Sequence, residues 1–334
     1  MDYSKGFSAE YYAHVVDPIT WRDRERIDIT GGTIDRSSGG LRNSADIDTV
    51  DYRQERELYI RVYLDARQGG SNSHDPLFTG LACSPEQDLN GVLEQNKLEC
   101  YSVLKAAEDM LLPPGYYTPI GIPGTQIISE LLSPIPAPVV IEGTSPELRS
   151  YIVAEDGENR LSMTEKVLDA IGWRMTIDGY GRILVSAYPT DPAAAFDPID
   201  NDVIEPSIKI KYDWYRTPNV FRAIDGEASA VARDDSPDSE NSTVSRGREI
   251  WAEDSDSNLN TGESLAEYAE RRLHELQQVA YTASYDRRFD PGVFVDSVVR
   301  LNYPRQRLSG LFRVTSQKIE LGYGARTSEE VERI

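Results

Sequence analysis

The stretch Ser264-Leu-Ala-Glu-Tyr-Ala-Glu-Arg-Arg-Leu-His-Glu-Leu-Gln-Gln278 carries the clearest local pattern in this chain of 334 residues. Four apolar residues recur at helical spacing and form one stripe: Leu265, Ala269, Leu273 and Leu276. Ser264 and Glu267 have the spacing of a reciprocal capping box, which stabilises a helix start by about 1 kcal/mol. The stretch therefore predicts a capped amphipathic helix at about 264–279.

Three runs after this helix predict strands: 279–285, 293–301 and 311–321. Apolar residues occupy alternate positions from Val293 to Leu301, as in a strand with one buried face. We expect the helix to lie across the antiparallel sheet of these strands and to bury its stripe, including Leu273, against that sheet.

Residues 21–100 also predict β-structure, with strand-like runs at the spacing that is typical of a sandwich or small barrel. The clearest run is Glu57–Asp65, in which apolar residues alternate from Leu58 to Leu64 and leave Arg61 and Tyr63 on the opposite face. Gly31-Gly32 is the expected turn between two earlier strands.

The middle of the chain changes to an α+β pattern. Helices are predicted at 102–112, 125–132 and 162–171, with Ser162 and Glu165 in capping-box spacing and Gly172 as the stop. The runs 173–177 and 182–187 predict a hairpin, and residues 188–206 predict a linker.

The fold class is therefore α+β and mainly β, with three expected units. Residues 1–102 form a β-domain, 103–190 an α+β insertion, and 191–334 a second β-domain that contains the helix at about 264–279.

The formal net charge of −21 argues against a protein that reads DNA or RNA, because such a surface repels phosphate. Two cysteines, Cys83 and Cys100, lie outside any zinc-binding spacing and are expected to be reduced, buried side chains. The sequence has no signal-peptide pattern at its start and no apolar run long enough for a membrane span.

No catalytic motif is recognisable, and we predict neither enzymatic activity nor a cofactor. His14, His74 and His274 are far apart in sequence and lack the spacing of metal ligands. Asp46 and Asp48 form a carboxylate pair, but with 56 acidic residues any one such pair indicates little. Near Trp21, acidic residues alternate with arginines, which predicts a surface of mixed charge.

One run resembles a calcium-binding loop. Asp254, Asp256 and Asn258 occupy ligand positions 1, 3 and 5, but Leu259 replaces the required glycine and Leu265 the required glutamate. A polar loop before the helix is the simpler interpretation, and calcium binding at Asp254–Asn258 stays an open alternative.

Several short segments, taken in order, carry a family resemblance: Ile29-Thr-Gly-Gly-Thr-Ile, Ser44-Ala-Asp-Ile-Asp, Leu58-Tyr-Ile-Arg-Val-Tyr, Leu77-Phe-Thr-Gly, Tyr101-Ser-Val-Leu, Gly124-Thr-Gln-Ile-Ile, Asp178-Gly-Tyr-Gly-Arg, Ser264-Leu-Ala-Glu-Tyr-Ala-Glu-Arg-Arg-Leu, Tyr281-Thr-Ala-Ser-Tyr, Phe289-Asp-Pro-Gly-Val-Phe-Val-Asp-Ser-Val-Val and Leu308-Ser-Gly-Leu-Phe-Arg-Val-Thr-Ser-Gln. Together they resemble the baseplate hub proteins of long-tailed bacteriophages, and the related hubs of contractile injection systems and of the type VI secretion spike.

This resemblance implies two tail-tube-like antiparallel β-barrels with the α+β insertion between them, and a homotrimer in which six barrels form a pseudo-sixfold ring. It implies a virion tail protein, assembled in the host cytoplasm. The implied partners are the tail tube or distal tail protein, a tip, spike or fibre protein, and the tape measure protein. Some hubs of this family carry a C-terminal peptidase or lysozyme module, and none is expected after Ile334.

The acidic composition then suggests a hypothesis. A trimer would carry 3 × −21 = −63 formal charges, and acids facing the lumen would repel DNA, which passes without specific binding. Two alternatives remain from the sequence alone. One is a carbohydrate-binding or polysaccharide-processing β-protein, and the other is a calcium-dependent adhesin.

Overall fold

The computed structural model describes residues 1–3, 5–50, 52, 54–88, 95–197, 207–212, 214–215, 217–254, 263–278 and 281–334. The structure is mainly β, with a smaller helical fraction, and its largest element is an extensive sheet of mostly antiparallel pairs. No helix within these ranges has both the length and the apolar character that a bilayer crossing needs.

Six strands make up residues 8–102, which we call the first half: β1 (Ser8–Val16), β2 (Asp23–Ser37), β3 (Asn43–Val50), β4 (Leu58–Gln68), β5 (Ser71–Asp88) and β6 (Gln95–Ser102). They pair in the order β1-β4-β5-β6-β3-β2, and β1 pairs with β2 as well, so each strand has two neighbours in this set. All six pairings are antiparallel.

The predicted turn at Gly31-Gly32 is wrong, because β2 runs through both glycines as one strand. The register with β3 shifts between Ile29 and Gly31, which marks a β-bulge. Gly32 has φ +138°, and a Cβ there would lie 2.2 Å from the carbonyl oxygen of Asp46. The two glycines therefore permit a bulge and a close strand approach.

The predicted face of β4 is confirmed. Ile60, Val62 and Leu64 are fully buried and lie in the apolar core of the first half. Arg61 and Tyr63, on the opposite face, are also buried, at 4% and 3% exposure. That second face is covered by elements that the periodicity of β4 could not reveal.

The insertion is built from six short elements: α1 (Lys105–Glu108), α2 (Gly124–Leu132), β7 (Val139–Ile141), α3 (Arg160–Ile171), β8 (Trp173–Ile177) and β9 (Ile183–Ala187). Its three strands form a separate sheet in the order β7-β9-β8. All buried members of its apolar core come from residues 103–185. The predicted hairpin is confirmed as the antiparallel pair β8–β9.

Two helix predictions in the insertion need correction. The predicted helix at 102–112 is only the four residues of α1. Helix α3 starts earlier than predicted, because the Asn159 side chain accepts a hydrogen bond from the Ser162 amide at 2.8 Å and is the cap. Glu165 does not complete a capping box with Ser162 and instead binds Arg42. The end is as predicted, with Gly172 at φ 64°.

The residues from 191 onward, which we call the second half, begin with strands β10 (Pro192–Phe196), β11 (Lys209–Tyr212), β12 (Val220–Asp225) and β13 (Ala228–Arg233). They continue with α4 (Thr243–Arg246), β14 (Trp251–Asp254) and α5 (Leu265–Gln278), and end with β15 (Tyr281–Arg287), β16 (Val298–Tyr303), β17 (Leu308–Glu320) and β18 (Thr327–Arg333). The predicted linker at 188–206 therefore contains a strand, β10, which pairs in parallel with β16. Strands β16, β17, β18, β15 and β11 follow in antiparallel order.

Helix α5 and its capping box are confirmed. The Ser264 amide donates to Glu267 at 2.8 Å, and the Glu267 amide donates to the Ser264 hydroxyl at 3.3 Å. The expected packing partner was wrong. Ala269 and Leu273 pack with Phe221 of a separate sheet, β13-β12-β14, and no member of that apolar cluster comes from the strands after the helix.

Candidate functional site: the sheet that joins the two halves

Among the described residues, the two β-units pair with each other through one pair of strands, β2 and β17. Residues 33–37 of β2 pair with residues 316–320 of β17 in antiparallel register, with Ile34 opposite Ile319. Because β2 also pairs with β3, and β17 with β18, the sheet continues as β6-β3-β2-β17-β18 across both halves. We call this five-strand surface the joining sheet.

A buried polar network lies behind the joining sheet. The side chains of Arg287 and Glu329 are 1% and 0% exposed, and Arg287 Nη2 lies 2.7 Å from Glu329 Oε1. The same carboxylate oxygen accepts a hydrogen bond from Gln317 Nε2 at 2.6 Å. Gln317 in turn accepts from Arg36 Nη1 at 3.3 Å, and Arg36 Nη2 donates to the Leu77 carbonyl at 2.5 Å. The network thus links both halves through strands 281 residues apart.

The network contains more positive than negative charge. Arg36 and Arg287 are both buried, and the buried carboxylate of Glu329 pairs with Arg287. Burial, together with repulsion from Arg287, lowers the pKa of Arg36 to about 10. A buried charge is tolerated only when it is paired and hydrogen-bonded. Glu329 pairs directly with Arg287 and is linked to Arg36 through Gln317.

The outer face of the joining sheet, with the adjoining end of β5, is strongly acidic. Around the β2–β17 contact, its charged side chains include seven carboxylates and two lysines, which together carry a formal charge of −5: Asp35, Asp46, Asp48, Glu86, Glu99, Glu320, Glu330, Lys97 and Lys318. We call this set the acidic face. A cavity of about 550 Å³ opens on it and is lined by Asp35, Tyr101, Lys318 and Glu330, among others.

The carboxylates Asp46 and Asp48, noted in the sequence, lie on this face of β3. Asp46 is directly opposite Glu99, a like-charge pair that is unfavourable by itself. Lys97 relieves the repulsion, since its Nζ lies 3.3 Å from Asp46 Oδ1. The hydrogen bond to Asp46 raises the pKa of Lys97. This arrangement holds acids together on an open surface.

The insertion docks on the first half through a second polar contact. Arg61 donates to Asp23 at 2.5 Å and to the Tyr180 carbonyl at 3.1 Å. The Thr79 hydroxyl donates to the Gly179 carbonyl at 2.8 Å. These bonds explain why Arg61 is buried, although it lies on the face of β4 opposite the apolar side chains. They fix the hairpin β8–β9 to β4 and β5.

The structure brings two of the three histidines together. The rings of His14 and His74 both pack on Tyr63, at centroid distances of 6.0 and 4.4 Å. His74 Nδ1 lies 2.6 Å from Asp65 Oδ1. His274 is on the exposed side of α5. Among the residues that the structure describes, no group of three or more His, Cys, Asp or Glu side chains could hold a metal ion.

Two arginines near Trp21, Arg24 and Arg26, have acidic partners, as the mixed-charge interpretation predicts. Arg24 pairs with Asp17, and Arg26 lies 2.9 Å from Glu10 and 3.0 Å from Asp28. Cys100 is buried, and burial raises the pKa of its thiol.

The candidate calcium loop, Asp254–Asn258, falls mostly outside the described residues. Asp254 itself ends β14 and accepts a hydrogen bond of 2.5 Å from the Tyr268 hydroxyl of α5.

Sequence reasoning missed the buried network, although a signal was present. In β18 the inward-facing positions are Thr327, Glu329 and Val331, so a glutamate stands in a core-facing register. In β2, Arg36 follows Ile34 at the same inward spacing. A charged residue in a core register requires a buried partner. The periodicity indicates that need without identifying the partner.

Comparison with solved structures finds the same fold across nearly the whole chain. The tail protein of Neisseria meningitidis MC58 matches with a TM-score of 0.72, 16% identity and 97% of both chains covered. The 43 kDa tail protein of prophage MuSo2 from Shewanella oneidensis matches with a TM-score of 0.71, 14% identity and 98% of both chains covered. A component of the E. coli type VI secretion system matches with a TM-score of 0.56, 7% identity, 92% of this chain and 74% of the other.

No family model matches the sequence, and no curated protein matches it. The resemblance inferred from the sequence is therefore confirmed by structure, at identities that show the fold alone. This chain has the fold of phage tail proteins, which a type VI secretion component shares.

Proposed function

We propose that this chain is a non-enzymatic structural protein of a phage-type tail, and that it is the hub of the baseplate or tail tip. The observation that carries the proposal is the joining sheet, which continues from one half of the chain into the other over a buried Arg287–Glu329 pair. Such a joint fixes the relative position of two β-units. Coverage of 97% or more of both chains in two tail-protein comparisons supports the same role.

The two β-units would be tube-like barrels. Strands β1 to β6 have a cyclic pairing order, which supports a first barrel within residues 1–102. The separate apolar core of residues 103–185 supports an insertion at 103–190. The second barrel would lie within 191–334, with the small sheet β13-β12-β14 and α5 as an appended unit.

Three copies would form a pseudo-sixfold ring, because each chain would supply two related barrels. This ring would join the sixfold tail tube, or a distal tail protein, to a threefold tip, spike or fibre protein, in a contractile or non-contractile tail or an injection device. The tape measure protein and then DNA would pass through its centre. The location would be the virion tail, after assembly in the host cytoplasm.

We infer that the acidic face lines the channel of this ring. It spans both halves on one continuous sheet and carries seven carboxylates against two lysines. A surface of this sign repels the phosphates of DNA and prevents adhesion during ejection.

Native mass spectrometry of the purified chain, with cryo-electron microscopy of the assembled particle, tests the ring. We expect three copies per particle around a central channel. The isolated chain can still be monomeric, if the ring closes only when it assembles on a neighbouring ring. Any other copy number, or a position outside the tail, would contradict the proposal.

Charge reversal tests the channel surface. A particle carrying Asp48→Lys and Glu99→Lys should assemble normally and eject DNA more slowly, most strongly at low salt, where electrostatic attraction is least screened. The matched control is Glu130→Lys with Glu155→Lys, on exposed positions of the insertion. Ejection that is equally fast in both particles would show that the acidic face does not meet DNA.

A further inference from the structure

A cationic pocket lies near the end of β17, where Glu320 of the acidic face attracts Arg326 of the pocket. Its volume is about 250 Å³, and it is bordered by the segment before β1 on one side and by the 3-10 turn Tyr323–Ala325 on the other. Six side chains line it, two of them aromatic and four cationic: Phe7, Tyr323, Lys5, Arg287, Arg288 and Arg326. We call it the basic pocket.

The charge of the basic pocket contrasts with the rest of the chain. Four of its lining residues are cationic and none is acidic, although the chain has 56 acids against 35 lysines and arginines. Lys5 pairs with Asp2 at 2.7 Å, and Arg326 pairs with Asp286, so both cations have partners outside the lining. The Lys5–Asp2 pair is exposed on both sides and is weak because water screens it, so a ligand carboxylate can share or replace Asp2 at little cost.

Both walls of the pocket are held in place without a ligand. Tyr3 packs edge-on between Phe7 and Phe289, at centroid distances of 5.6 and 5.7 Å. On the opposite wall, the Tyr11 hydroxyl donates to the Gly322 carbonyl at 2.7 Å and holds the turn that carries Tyr323. Binding to a preformed pocket avoids the cost of ordering it.

A buried donor in the pocket lacks a partner. Arg287 is 1% exposed, and its two terminal nitrogens donate at 2.7 Å to Glu329 and to the Arg288 carbonyl. Its Nε has no hydrogen-bond partner within the part of the chain that the structure describes. An unmade buried hydrogen bond is unfavourable, and this donor adds to the cationic character beside the pocket.

Tyr323 is the most exposed feature of the pocket. Its ring is 92% exposed beside exposed Arg288 and Arg326. Exposed aromatic and arginine side chains around a small cavity are typical of the anchoring points of protein interfaces. The combination suits a ligand with one apolar and one anionic group.

We propose that the basic pocket binds a short acidic peptide segment of a partner protein, through a carboxylate placed next to an aromatic or aliphatic side chain. The carboxylate meets Arg288 and Arg326, and the apolar side chain lies between Phe7 and Tyr323. A cavity of about 250 Å³ holds one or two side chains and is too small for a nucleic acid duplex. This site is independent of ring formation and of DNA passage.

The test uses saturation-transfer NMR with the full chain and two probes, N-acetyl-glutamyl-phenylalanine amide and its glutaminyl counterpart. The acidic probe should bind at least about tenfold more tightly, since a charge-assisted hydrogen bond contributes about 1.5–3 kcal/mol and 1.4 kcal/mol is tenfold. Arg326→Gln and Arg288→Gln should each abolish this preference. Arg305→Gln, an exposed arginine on another turn with the same charge change, should leave it intact.

Three results would overturn the proposal. The first is equal binding of the two probes, which would indicate apolar contact alone. The second is an unchanged preference in Arg326→Gln and Arg288→Gln, which would place the site elsewhere. The third is full displacement of the acidic probe by an equal concentration of inorganic phosphate, which would indicate a general anion site. Circular dichroism of each variant checks the fold, and a failed ring would leave all these outcomes unaffected.

Discussion

The buried Arg287–Glu329 pair can be tested by a double-mutant cycle, in which the net buried charge of each variant predicts its loss of stability. In the native protein the joint holds two buried cations, Arg36 and Arg287, and one buried anion. Its buried charge is therefore +1. Glu329→Leu raises this to +2, and Arg287→Met lowers it to zero. The double variant returns it to +1, with two apolar side chains in place of the pair.

The loss of stability should be greatest for Glu329→Leu, which leaves the highest buried charge. Removing one partner of a buried ion pair typically destabilises a protein by about 3–5 kcal/mol, whereas replacing both with apolar residues is often neutral. Glu329→Leu should reach the upper end of this range, because two guanidiniums then share the site and Gln317 loses its acceptor. Arg287→Met should cost less, since Glu329 keeps its bond from Gln317 and the attraction of Arg36. The double variant should recover most of the loss of Glu329→Leu.

Urea unfolding followed by fluorescence and circular dichroism measures all four proteins. The control cycle is Arg222→Met and Glu253→Leu, an ion pair whose side chains are 46% and 43% exposed. Each control variant should change stability by less than about 1 kcal/mol. Our reasoning would be refuted if Arg287→Met were costlier than Glu329→Leu, or if the double variant lost the sum of both single losses.

Three further predictions concern other parts of the fold. Gly179→Ala should lower the midpoint of thermal unfolding and loosen the insertion, because the new Cβ would lie 1.8 Å from a backbone oxygen of β5. The control is Gly39→Ala, which has open space around it and should leave the midpoint unchanged. Equal midpoints for the two variants would refute the docking contact. Leu273→Asp should destabilise the unit of α5 by about 2–5 kcal/mol in urea unfolding, because it buries a charge in an apolar cluster; Ala266→Asp on the exposed side is the control, and similar effects of both would contradict the packing of α5. Burial raises the pKa of Asp296, so its ionised form costs stability at neutral pH and this cost is relieved as the pH falls. Asp296→Asn should therefore unfold at a higher temperature than wild type at pH 7.5, and the difference between the two unfolding temperatures should shrink towards pH 4. A lower unfolding temperature of the variant at pH 7.5 would mean that attraction from nearby arginines outweighs the cost of burying the charge.

The sequence predicts elements that are stabilised by neighbours along the chain. Helix α5 follows from a stripe and a capping box within fifteen residues, and both are confirmed. What the helix packs on was mispredicted, because an amphipathic stripe requires an apolar surface without specifying which one. Gly31-Gly32 was misread for a related reason, since two glycines permit a turn or a bulge and only the partner strand decides.

Contacts between distant residues were largely out of reach. Periodicity placed Arg61 and Tyr63 opposite the apolar face of β4, which is correct, but it could not show that Asp23 and the insertion cover them. The joint between β2 and β17 depends on residues 281 positions apart, which no local pattern connects. The resemblance to tail proteins predicted two β-units with an insertion between them, but it did not predict the pairing of β2 with β17.

The shared edge of β2 constrains how the chain reaches its native state. One side of this strand is covered in two parts, by β1 at residues 23–28 and by β17 at residues 33–37. During synthesis the second part stays unpaired until residues 316–320 leave the ribosome, and an open strand edge is a site of aggregation. The first half therefore depends on the last tenth of the chain for completion, so release of an unfinished product should yield insoluble protein.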